Sequence, residues 1–305
     1  LAMQKPPAFT FYCVFTLFAS VTCLQLSHAQ QVRLAVSDLI ADFVRPEVMA
    51  LAERTDVEVS YESIGSLPAI ERLRAGSVDF AIMAFPEGSD VPRDEFSVFP
   101  FAYDATIIAV NKNNPLDEIS LGRLAGVFGE SEESNFTTWG DLGLSGWGSR
   151  KLKLLSGHEV DSIALELFKF SVLFEGALKS SVDNVQPTEA IDLLAKDPAA
   201  VAILSRVPTE ADAKILLLSS DDSSPAYGPT NDNIHFGDYP IRLPFYIVFS
   251  KYSEQAYGPF LRVLWGDELA SDLVAGGIFA LPDTVRRKLL VDLDLDDIQE
   301  KKSEE

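Results

Sequence analysis

Apolar and polar positions fall into blocks whose period switches between two and about 3.6 residues along the chain. Val57, Val59 and Tyr61 alternate with polar neighbours, which predicts a strand with one covered face. Gly65-Ser66 follows where a helix would begin. Pro68 is tolerated in that first turn because its missing N–H has no intrahelical partner there. Ile70 and Leu73 give the helix a packing face, Gly76 ends it, and the apolar run 78–83 re-enters a sheet. The same succession opens at 32–36, a strand, followed by Ser37-Asp38 as the cap of a helix over 39–54. A second such region spans 151–218, with helices expected at 161–174 and 187–196 and strands near 182 and at 201–204. Residues 219–238 are dense in turn formers and read as a loop, and helices over 257–275 and 283–290 close the pattern.

Strands alternating with helices predict an α/β fold with helices packed on mainly parallel sheet. Two segments are long for single strands and carry prolines: 99–111 with Pro100, and 239–249 with Pro240 and Pro244. Each suits a chain crossing between lobes. The expected organisation is a first lobe from 30–104 and 242–291, a second from 105–241, and a disordered acidic tail at 292–305. One larger α/β domain is the alternative. In open α/β sheets, ligands sit beyond the carboxyl ends of strands, where helix N-termini offer backbone N–H groups. Ser37 and Ser66 fall at two such ends, as ligand contacts or, for Ser66, as a plain N-cap.

The net charge of −21 excludes nucleic acid and anionic lipid as partners. Residues 1–29 read as an export signal: one charge at Lys5, an apolar run over 8–26, and Ser27-His28-Ala29 at the cleavage site, with an uncleaved anchor as the alternative. Cys13 and Cys23 both lie there, so the mature chain would have no disulfide. Beyond it the only histidines are His158 and His235, and neither a Gly-x-Ser-x-Gly elbow nor an HExxH helix occurs. Binding without catalysis, cofactor or metal is the expectation. Trp139 and Trp147, among glycines, are expected to pack the second lobe, with the cleft mouth as the other reading.

Five stretches in one order carry a family likeness: IGSLPAIERLRAGSVDFAIM; FPFAYDATIIAVNKNNP; LGRLAGVFGE with TTWGDLGLSGW; VDNVQPTEAIDLLAKDPAAVAIL; and DYPIRLPFYIVFSK with the helix ending in GGIFALP. Together they resemble the phosphate-type substrate-binding proteins of bacterial ABC transporters. The resemblance implies a two-lobed periplasmic binding protein (type 2) with a central cleft and two hinge crossings. It implies a monomer, exported to the periplasm, that captures phosphate or another small oxyanion and presents it to an ABC permease. The ligand loops it implies are Ser37 with Asp38 and Leu39; Gly65 with Ser66; and a third around His158 and Ser162. At this third loop, His158 as a half-exposed loop residue and Ser162 or Asp161 as a helix cap are the other readings.

Two family features are missing. Ala84 stands where the family places a buried Asp, and 156–162 contains neither an Arg nor an intact Ser-Gly-Thr. A less charged or cationic ligand therefore stands beside phosphate. So does a degenerate pocket on a fold retained as an interaction or sensing module.

Overall fold

The computed structural model describes residues 31–304 except 56, 131–132, 160–161, 210–211, 252 and 254–255, with side chains described as far as 295. The export-signal reading falls on residues 1–29, outside the described residues. Among the latter, no helix is long and apolar enough to cross a membrane.

The chain opens with β1 (Gln31–Val36), α1 (Ala41–Thr55), β2 (Glu58–Ser63), α2 (Ser66–Arg74), β3 (Phe80–Ala84) and β4 (Phe96–Ala105). It continues with β5 (Ile107–Asn111), β6 (Glu118–Ser120), α3 (Leu121–Phe128), β7 (Lys153–Gly157), α4 (Ala164–Leu173), β8 (Asp183–Val185), α5 (Pro187–Lys196) and β9 (Ala200–Leu204). β10 (Ala213–Ile215), β11 (Leu217–Ser219), α6 (Asn231–Phe236), β12 (Arg242–Ser250), α7 (Gly258–Leu264), α8 (Asp267–Ala275), β13 (Phe279–Ala280) and α9 (Asp283–Glu304) complete it.

Two sheets organise these elements. One has the order β13-β4-β12-β3-β1-β2 and so combines strands from both ends of the chain; the other has the order β10-β5-β9-β7-β8. β2, β1 and β3 run parallel, as do β8, β7 and β9. The strands that cross between lobes pair antiparallel: β12 with β3 and β4, and β5 with β9. The first lobe packs around Phe249, whose ring stacks on Phe80 and Phe99. The second lobe buries Phe128 edge-on to Phe168, and Trp139, whose indole N–H donates to the Ala199 carbonyl at 3.1 Å. Trp147 meets Trp139 edge-on, so both tryptophans pack this lobe.

Between the sheets the two crossings lie side by side. β4 becomes β5 through Thr106, whose N–H donates to the Ile241 carbonyl at 3.1 Å on the returning segment. The Tyr239 hydroxyl donates to the Thr106 carbonyl at 2.7 Å, and the Thr106 hydroxyl donates to the Ala164 carbonyl, also at 2.7 Å. All three residues of the crossings, Thr106, Tyr239 and Ile241, are fully buried.

Three expectations need correction. The charged stretch after Asp292 is helical, because α9 continues to Glu304. Leu293 is buried in the core and Asp294 accepts from Arg262 of α7, so the helix has a face to dock. The loop over 219–238 contains α6, capped by the Thr230 hydroxyl accepting from the Asn233 N–H and anchored by buried Ile234. The helix over 257–275 divides into α7 and α8 because Trp265 turns inward, its indole N–H donating to the Pro100 carbonyl, and Gly266 caps the next helix.

Candidate functional site

The carboxyl ends of the parallel strands in both sheets face one another across a cleft. Asp38 and Leu39 follow β1; Gly157 ends β7 and Glu159 follows it; Pro187 and Thr188 follow β8; Ser205 and Arg206 follow β9. The end of α8, from Gly276 to Ile278, supplies a further wall from the first lobe. Such convergence is expected because the turn after a parallel strand leads into a helix whose first N–H groups have no intrahelical partners.

The cleft holds two adjoining chambers. The smaller, about 260 Å³, is bounded by Asp38, Leu39, Asp42, Asp104, Glu159 and Ser162 among others. The larger, about 500 Å³, has walls that include Pro187, Ile191, Leu204, Val207 and Val274. Glu159, Ser205, Arg206, Gly277 and Ile278 border both. Here Arg206 donates to Glu159 at 2.8 Å, and the Glu159 N–H donates to the Ser205 hydroxyl at 3.4 Å. Gly277, at φ +89°, brings the first lobe against Arg206: a Cβ there would lie 3.2 Å from the arginine's Cβ. Both the left-handed backbone and the close approach call for glycine.

The sequence-predicted residues divide between the cleft and the sheet ends. Asp38, Leu39 and Ser162 share the smaller chamber. Ser162 also accepts from the Ala164 N–H at 3.0 Å, although the N-cap of α4 is the next residue, Ile163. Ser37, Gly65, Ser66 and His158 border neither chamber. Ser37 is buried and its N–H is held by the Ile82 carbonyl at 2.8 Å. Gly65, rather than Ser66, is the N-cap of α2, and the Ser66 hydroxyl accepts from the Ala84 N–H at 2.9 Å, tying the helix to β3. The two serine turns thus sit at one end of one sheet, as expected, but the polar groups named here are engaged within the lobe. His158 is half-buried, with Nδ1 3.0 Å from the Ser156 hydroxyl. Asp161 lies outside the described residues.

Asp104, Asp42, Ser205 and Arg206 are cleft residues that sequence reasoning missed. Asp104, next to last in β4, is 8% exposed and accepts from the Ala105 N–H through Oδ1 at 2.7 Å. Burial pushes its carboxyl up to about 6, partly offset by that N–H. A single acid inside the apolar run FPFAYDATIIAV was the signal that could have found it. Residues 156–162 hold no Arg; the guanidinium that lines both chambers is that of Arg206, in the turn after β9 and paired with Glu159.

Residues 25–268 match the family described as PBP superfamily domain. The chain belongs to the PBP superfamily. Within that superfamily it is similar to the phosphate-binding protein PstS of Pseudomonas aeruginosa, at 24% identity over 258 residues and 79% of each chain. Its fold is that of a possible phosphate binding protein from Planctomyces limnophilus (TM-score 0.65, 13% identity, 87% of this chain and 98% of that one). It is also that of PstS from Borrelia burgdorferi (TM-score 0.64, 16% identity, 83% and 99%). An ABC-type phosphate transport receptor from Vibrio cholerae superposes with a TM-score of 0.58 at 19% identity, covering 82% and 100%. The two-lobed α/β architecture of the binding proteins is therefore the architecture of this chain.

Proposed function

We propose that this chain is the exported solute-capturing receptor of an ABC transporter. A small molecule enters between the lobes, the lobes close about Thr106 and the 239–241 crossing, and the closed form is presented to a permease outside the cytoplasm. The carrying observation is the cleft itself, in which loops from the carboxyl ends of both sheets converge on adjoining chambers of about 260 and 500 Å³. Chambers of this combined size fall in the range of small-molecule sites, roughly 300–1,000 Å³. They disfavour the reading of a pocket that has lost its guest. Names of the relatives support transport receptors in general and make phosphate the first probe.

The cleft's own residues bear on phosphate differently. Among the described residues its one guanidinium is engaged by Glu159, and Asp38, Asp42 and Asp104 lie beside it. Phosphate is therefore expected to bind weakly at neutral pH. Calorimetric titration against a panel of small metabolites, phosphate among them, tests solute capture. Saturable one-to-one binding by a panel member, lost in a Ser205→Trp variant that fills the junction of the chambers, supports the proposal. A folded protein that binds no member of a broad panel would refute it.

A further inference from the structure

The charges around the smaller chamber do not balance. Asp38, Asp42, Asp104 and Glu159 face one cation, Arg206, which Glu159 already pairs. Asp38, Asp42 and Asp104 make no ion pair among the described residues. The N-termini of α1 and α4 adjoin the chamber, and each helix end contributes about half a positive charge. Two of them together offset only about one of the three remaining carboxylates. The local field therefore favours a cation over an anion.

Asp104 is the sharper observation. More than nine-tenths buried, it satisfies Oδ1 with the Ala105 N–H, while Oδ2 makes no hydrogen bond among the described residues and the side chain borders the chamber. Among the described residues Arg286 Nε is the one fully enclosed polar side-chain atom without a partner, so Oδ2 of this largely buried carboxylate keeps some access to solvent, and a ligand N–H could reach it there. Next door, the larger chamber presents Ile191, Leu204, Val207, Val274 and Ile278. Thr188, Thr209 and Asn231 also line it, but a bare oxyanion needs donors on every side, and the apolar side chains offer none. An apolar body suits them.

Resting on the solute-capture reading, we infer that the guest is an organic amine. Its ammonium group sits at Asp104, flanked by Asp38 and Asp42, and its apolar body lies in the larger chamber past Arg206. Asp104 is the specificity-determining residue, and the guest's positive charge rather than its size is what the cleft selects.

The test uses the full chain and three isosteric probes, 2-phenylethylamine, 2-phenylethanol and phenylacetate, together with inorganic phosphate, titrated calorimetrically at pH 7.5. The amine is expected to bind at least about tenfold tighter than the alcohol, with phenylacetate and phosphate weaker still. Asp104→Asn should weaken the amine about tenfold or more and leave the alcohol unchanged. Asp38→Asn, at an exposed position, gives a second reading in the same direction with no threat to the fold. Binding of phosphate or phenylacetate in preference to the amine overturns the inference and leaves solute capture standing. Binding of none of the four also overturns it, and the metabolite panel then decides solute capture separately.

Discussion

Replacing Asp104 by Asn should stabilise the protein at neutral pH and not in acid. The carboxyl is 8% exposed, and burial is the chief cause of its rise from 3.8 to about 6. Folding raises this pKa, so the folded chain holds the proton more tightly than the unfolded one. The protonated group's contribution is complete below pH 3.8 and is lost as pH climbs through about 6. The gap between the two values corresponds to roughly 3 kcal/mol of destabilisation above pH 6, at about 1.36 kcal/mol per pH unit. Asparagine keeps the Oδ1 acceptor for the Ala105 N–H and carries no charge. Its amide N–H group would need a partner in the chamber, which takes back about 1 kcal/mol. The expected net gain is therefore about 1–3 kcal/mol at pH 7.5.

Urea denaturation of both proteins at half-unit steps from pH 4 to 8 reads this directly. Asp38, Asp42, Glu159 and Arg206 line the same chamber and are common to both proteins, so the difference between the curves isolates residue 104. The two midpoints should converge near pH 4 and separate progressively between pH 4 and 7, with the variant higher. Parallel curves, or a variant less stable at every pH, would refute the claim that an uncompensated buried charge resides at this position.

Other consequences concern the crossings, the core and the lobe contact. Tyr239→Phe removes the hydroxyl that donates to the Thr106 carbonyl and leaves that buried oxygen unpaired, which should lower stability by about 1–3 kcal/mol in denaturant titrations. Phe249→Ala, at the centre of the ring cluster with Phe80, Phe99 and Tyr257, should cost about 3–5 kcal/mol by the same measurement. Gly277→Ala places a Cβ 3.2 Å from Arg206 at φ +89°, so small-angle scattering should show a wider separation of the lobes. The left-handed backbone at that residue should also lower stability by about 1–2 kcal/mol.

The fold was legible because its determinants are local and periodic. Alternation in 57–61, the Gly65-Ser66 turn with Pro68 behind it, and Gly76 at φ +66° each specify their own neighbourhood, and the strands and helix fall where that pattern places them. Errors arose where tertiary contact decides. The charges of α9 looked like a solvated tail, yet Leu293 finds a core position and Arg262 holds Asp294. Trp265 ended α7 because Pro100, far away in sequence, offers its carbonyl to the indole. Nothing within either window announces the other.

The site was less legible for a related reason. A hydroxyl at a strand end looks the same in sequence whether it faces a guest or ties two elements together, and Ser66 does the second through Ala84. Asp104 shows the opposite case, an acid that among the described residues has no ion pair and one hydrogen-bond donor. A folded chain tolerates such a group only where other interactions carry the stability, and strongly perturbed carboxyls concentrate at functional sites for that reason. On the amine reading, the same charge that destabilises the empty cleft is stabilised by the guest. Binding then lowers the carboxyl's pKa and favours the arrangement in which Asp104, Asp38 and the β9 turn approach one ligand, because a ligand shifts an equilibrium by its differential affinity for the two states. The penalty in the open receptor and the drive toward closure are thus one interaction, measured without and with its partner.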